Sequence, residues 1–125
     1  MDLSGFVVFN QYHQSPYFSI TDAGITFNRD TTQLLNFPPF VKVLINNDKK
    51  QLLLCPCEKE SDGAHKYYTP RKHPIFSVRW NIASFNYTVK QLIGVSTLGN
   101  GYRVDGALIE PNYILFDLTK IRKIT

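Results

Sequence analysis

Three observations predict an α+β fold rich in strands, with a partly closed sheet or barrel and two short helices. Aromatic residues are abundant, with nine Phe, seven Tyr and one Trp, a usage that favours pleated sheet. Val41, Val43 and Ile45 alternate with their neighbours, and Leu52-Leu53-Leu54 follows as an unbroken apolar run. Together they read as a hairpin of one half-buried and one central strand. The order strand, short helix, hairpin then occurs a second time. The 125 residues, 43% apolar and 19% charged, suffice for a single domain over 1–125 with a real core. We divide it into a first half over about 17–58, a connector over 59–74 and a similar second half over about 75–118.

In order, Phe6–Phe9 reads as a short strand, and Tyr17–Ile20 as another after the break at Pro16. Asp22-Ala23-Gly24 is a turn signal, because Gly24 can adopt positive φ. The strand Ile25–Phe27 leads into a helix capped by Asn28 or Asp30, with Gln33 at capping-box spacing from Asp30. That helix must stop before Pro38-Pro39. The first hairpin turns at Asn46–Lys49, and at Pro56, which cannot donate to a ladder, regular pairing ends or meets an edge. In the second half Phe76–Trp80 is a strand. A helix follows from Asn81 or Ser84, with Ile82, Phe85, Val89, Leu92 and Ile93 on one face. It stops at Gly94. Tyr102–Leu118 forms the second hairpin, turning at Glu110-Pro111-Asn112, and the final TKIRKIT reads as a short basic tail. Phe27-Asn28 overlays Trp80-Asn81, and Leu54 overlays Phe116, an arrangement that points to internal duplication.

The net charge of +4 is unevenly spread. Between Asp62 and Asp105 there is no acidic residue, while Lys66, Arg71, Lys72, Arg79, Lys90 and Arg103 all lie there with His65 and His73. Such asymmetry points to a positive region facing an anionic partner, nucleic acid first. Within the connector segment AHKYYTPRKHP, Lys66, Arg71 and Lys72 are candidate phosphate contacts, joined by Arg79 just beyond. Tyr67 and Tyr68 are candidate stacking residues. The competing expectation is that the tyrosines pack beneath the connector while the cations keep it solvated.

Other chemistries are poorly served. Cys55 and Cys57 fall on one strand face and, with His65 and His73, number four conceivable zinc ligands. C-x-C on an extended strand holds its sulfurs less well than a C-x-x-C turn, so buried reduced thiols are expected and neither metal nor cofactor is. His13, His65 and His73 sit in polar segments without a recognisable nucleophile. Gly99-Asn100-Gly101 follows a helix and opens a strand, the reverse of a dinucleotide loop. We therefore expect no enzyme. The absence of a signal peptide or a long apolar run leads us to expect a cytoplasmic protein with no membrane partner.

The stretch GITFNRDTTQLLNFPPFVKVLINNDKKQLLLCPCE, Gly24–Glu58, resembles the half-domain of AbrB-type transition-state regulators, which have a swapped-hairpin fold. Val78–Leu118 carries the likeness more faintly. In that family a strand after a Gly-containing turn leads to a short helix with a leucine-rich end and then to an apolar hairpin, and two such halves interlock into a DNA-binding barrel. Proteins of the MraZ type hold both halves in one chain. The resemblance implies a small bacterial or phage-type DNA-binding regulator acting on double-stranded DNA, and adds Arg29 to the candidate contacts. The alternative is a non-enzymatic protein-interaction module, such as a homodimer that pairs exposed strands or aromatic surface.

Overall fold

The computed structural model describes residues 1–6 and 15–125. The expected strand over Phe6–Phe9 runs beyond that range, and His13 lies outside it. Among the described residues eight strands form one antiparallel sheet: β1 (Tyr17–Thr21), β2 (Gly24–Phe27), β3 (Phe40–Asn46), β4 (Gln51–Pro56), β5 (His65–Lys66), β6 (Val78–Trp80), β7 (Tyr102–Ile109) and β8 (Tyr113–Lys123). Their spatial order is β5-β3-β4-β8-β7-β1-β2-β6. Two helices, α1 (Arg29–Leu34) and α2 (Ala83–Ile93), complete a strand-rich α+β architecture. No helix among the described residues is long and apolar enough to cross a membrane.

The sheet curls until its two edge strands meet. Trp80 Nε1 on β6 donates to the Lys66 carbonyl on β5 at 3.1 Å. The inner face carries the core, in which Phe18, Phe27, Phe116, Ile20, Ile25 and Ile114 are buried. Phe18 meets Phe116 edge-on at 4.9 Å between ring centroids, and Phe27 meets Trp80 likewise at 5.0 Å, geometries that aromatic quadrupoles favour.

Local chemistry explains the element ends. Gly24 has φ +139°, and a Cβ there would stand 2.6 Å from the Trp80 carbonyl oxygen, so position 24 admits no side chain. Asn28, not Asp30, caps α1: its Oδ1 accepts from the Thr31 N–H at 3.1 Å and from the Tyr17 N–H at 3.0 Å, tying the helix to β1. Past α1, Phe37 lies at φ +54°. A non-glycine residue holds that conformation when its surroundings reward it, and here the Phe37 ring packs on Tyr68 and Phe76. The helix α2 has no side-chain cap at Ile82 and ends on left-handed Gly94. It is held by packing instead, with Val89 and Leu92 buried and Phe85 edge-on to Trp80 at 5.5 Å.

The strand β4 lies between β3 and β8, the interior position its leucine run predicts. Its pairing with β8 covers Gln51 to Leu54, so the missing N–H of Pro56 costs that ladder nothing. Two expectations are corrected. The terminal TKIRKIT is not a tail: through Lys123 it belongs to β8, with Val104 opposite Ile121, Arg103 opposite Arg122 and Tyr102 opposite Lys123. An irregularity disguises it, since Asp105 alone on β7 lies opposite residues 117–120 of β8. The connector, too, is more than a polar loop, because it supplies the edge strand β5 and a core tyrosine.

Candidate functional site

The structure sorts the candidate residues into those it gathers and those it buries. Arg71 and Arg79 line one concave pocket of about 290 Å³, together with Tyr68, Thr69 and Ser77. A neighbouring pocket of about 350 Å³ is lined by Arg29, Asn28, Thr26, Ser19 and Tyr17. Ser77 lines both, so the two pockets adjoin and are treated together as a groove; Tyr67, Ile75 and Val78 complete the lining of the first. Asp30 also lines the second pocket. It is nine-tenths buried, and its Oδ2 accepts from the Ser15 N–H at 2.8 Å.

Arg79 is positioned by β6, whose Val78 and Trp80 turn inward and leave the arginine exposed between them. Its Nη2 donates to the Ala23 carbonyl at 3.2 Å, which steadies the guanidinium beside the β1–β2 turn. Lys66 is exposed on β5, and Lys72 is exposed beside Arg71; neither lines these two pockets.

The tyrosines take the packed arrangement of the competing expectation rather than offering stacking faces. Tyr67 is 5% exposed, with its ring tilted against Phe27 at 5.6 Å. Its hydroxyl shares a 3.0 Å hydrogen bond with Thr32, itself fully buried. Burial pushes its pKa well above the ordinary 10.0, with the Thr32 bond acting the other way. Tyr67 is therefore a core residue, and its face is not offered for stacking. Tyr68 is half-buried and packs edge-on against Phe37 at 5.2 Å. Cys55 is buried and Cys57 half-buried, and desolvation pushes the Cys55 thiol up. Among the described residues no three His, Cys, Asp or Glu side chains are grouped to hold a metal ion.

The sheet also assembles a row absent from the sequence reading. Arg79 is registered with Thr26, Thr26 with Ser19, Ser19 with Arg103, and Arg103 with Arg122. Registered partners share a face, and Phe18, Ile20, Ile25, Phe27 and Val104 between them fill the core. The row therefore lies on the outer face across β6-β2-β1-β7-β8. Polar residues at alternate positions along each strand were the available signal; strand order, which brings them together, was not. The Arg103 guanidinium carbon stands 3.6 Å from the centroid of the Tyr17 ring. Comparison of the chain with family models, with curated proteins and with solved structures returns no match.

Proposed function

We propose that the protein is a small DNA-binding regulator that grips the phosphates of double-stranded DNA through this groove. The carrying observation is the convergence of Arg71 and Arg79 on one pocket, which adjoins that of Arg29 at Ser77. Arginine forks suit phosphate oxygens, and Ser and Thr hydroxyls add neutral donors. Lys66 and Lys72 flank the groove as longer-range charges. A cytoplasmic location belongs to the same proposal.

The AbrB-type, duplicated architecture is part of the reading. Its support is that strand, helix and hairpin recur as β2-α1-β3-β4 and β6-α2-β7-β8, and that both pairings between these halves are symmetric. Laying Ile25–Phe27 over Val78–Trp80 exchanges the pair Ile25–Trp80 with Phe27–Val78 and keeps Thr26–Arg79. Laying Leu52–Leu54 over Ile114–Phe116 exchanges Leu52–Phe116 with Leu54–Ile114 and keeps Leu53–Leu115. Any antiparallel ladder exchanges its pairs in this way; what the overlay adds is that the self-paired positions, Thr26–Arg79 and Leu53–Leu115, fall inside the two ladders, as a pseudo-twofold requires.

The test is titration with a mixed-sequence duplex at several salt concentrations. Binding at low salt should weaken with a log–log slope of about −3 to −4 if four cations meet phosphate. Replacing Arg71 and Arg79 together by Ala should flatten that slope by about 2. An absence of binding at low salt removes the regulator reading; binding indifferent to both substitutions removes the groove.

A second reading, a homodimerising interaction module, draws on a different face. Leu44, Leu53, Leu115 and Ala107 are registered in one outward row across β3-β4-β8-β7, and Leu44 is 49% exposed. Lys42 and Asp117 stand beside this row at opposite corners. Two copies laid face to face about a twofold in the sheet plane would pair each lysine with the other's aspartate. Sedimentation equilibrium of the wild type and of Leu44→Glu separates the readings: a dimer lost on substitution favours this one, and a monomer throughout removes it.

A further inference from the structure

We infer that Arg103 and Arg122 form a second phosphate subsite, which the chain fills with its own Asp105 carboxylate. This rests on the nucleic-acid reading and extends the contact surface beyond the groove. Asp105 Oδ1 accepts from Arg103 Nε at 3.2 Å and from Arg122 Nη2 at 2.9 Å, and Oδ2 accepts from Arg122 Nη2 at 2.7 Å. Two guanidinium groups thus converge on one anion. Tyr17 backs the Arg103 plane, holding it ready rather than leaving it to roam.

A carboxylate and a phosphodiester offer guanidinium the same paired acceptor oxygens. The internal pairing is weakly held, because the side chains of Arg103, Asp105 and Arg122 are 33%, 48% and 61% exposed and solvent screens such contacts. A phosphate that displaces Asp105 keeps both arginines satisfied and releases the carboxylate to water. The subsite is also aligned with the groove. The row Arg79, Thr26, Ser19, Arg103 and Arg122 crosses five adjacent strands, a path of about 19 Å along the curved sheet at the usual strand spacing. A DNA backbone that bends with the outer curve of the sheet from Arg79 would pass the hydroxyls of Thr26 and Ser19 before reaching the arginine pair. Asp105, in this account, sets the strength of binding: it withholds two arginines from weak anions and yields them to a polyanion already anchored at Arg79.

The experiment titrates wild type, Asp105→Asn, Asp117→Asn and Arg122→Gln with one mixed-sequence duplex over a range of salt. Asp105→Asn should bind about tenfold tighter at low salt and steepen the log–log slope by about 1 to 2. Asp117→Asn, an equal charge change on the same face at a carboxylate bonded to Thr119 and to neither arginine, should gain clearly less. Arg122→Gln, at a well-exposed position where folding is not at stake, should weaken binding and flatten the slope by about 1. Equal gains from the two aspartate substitutions would reduce the effect to net charge and overturn the subsite. So would an Arg122→Gln protein indistinguishable from wild type. Failure of every protein to bind sinks the regulator reading itself, whereas a wild type that binds and variants that match it sink the subsite alone.

Discussion

Tyr67 and Thr32 are joined by a single hydrogen bond across 35 residues of chain, with Thr32 fully buried and Tyr67 nearly so. Tyr67→Phe strands the Thr32 hydroxyl and should cost about 1–3 kcal/mol, read as a lower urea midpoint with unchanged m-value. The same pair sets an alkaline limit. The folded chain holds the Tyr67 proton more tightly than the unfolded chain, whose value is the ordinary 10.0. Above that pH the unfolded state sheds the proton first, so this contribution is whole below pH 10.0 and is lost as pH rises past it. Comparing urea midpoints at pH 9 and pH 11 should show wild type losing more stability than Tyr67→Phe; equal losses would mean that Tyr67 does not carry the effect. The sequence offered Tyr67 for stacking because its neighbours His65, Lys66, Thr69 and Pro70 are those of a solvated loop. Its burial is set by Phe27, Thr32 and Trp80, none of them local.

The element that most changed between sequence and structure is β8. Its first part was legible, since Ile114, Phe116 and Leu118 alternate with half-buried neighbours. Beyond the irregularity at residues 117–120 only Ile121 is partly buried against the core, and the strand exists because Tyr102–Val104 pairs with it. Ending the chain after Leu118 removes that pairing, the contact of Ile121 and the bond from the Ile124 N–H to the Gly101 carbonyl. The loss should be roughly 3 kcal/mol, measured by urea unfolding; a true solvated tail would leave the midpoint where it was. The first hairpin, α1 and the Gly94 stop were readable because alternation, caps and glycine are local signals. The groove and the row that runs beyond it were half readable. Arg71 and Arg79 stand out by charge, but Ser19, Thr26, Arg103 and Arg122 become neighbours only through the order β8-β7-β1-β2-β6.

At the scale of the molecule the sheet bends far enough for its ends to touch, and the residue at that join is Trp80. Its indole lies 5.4 Å from the His65 ring on one edge strand and 5.0 Å from Phe27 in the core. It is the chain's only tryptophan and is 6% exposed. Excitation at the indole band therefore interrogates one place, the closure of the sheet, without labelling. Because Trp80 belongs to the core as well as to the join, its emission should shift to the red, and its acrylamide quenching rise, in step with loss of the far-ultraviolet dichroism. A red shift that precedes the dichroic change would show the edges parting before the rest unfolds. The way this sheet closes has thus placed a built-in optical gauge at its own seam.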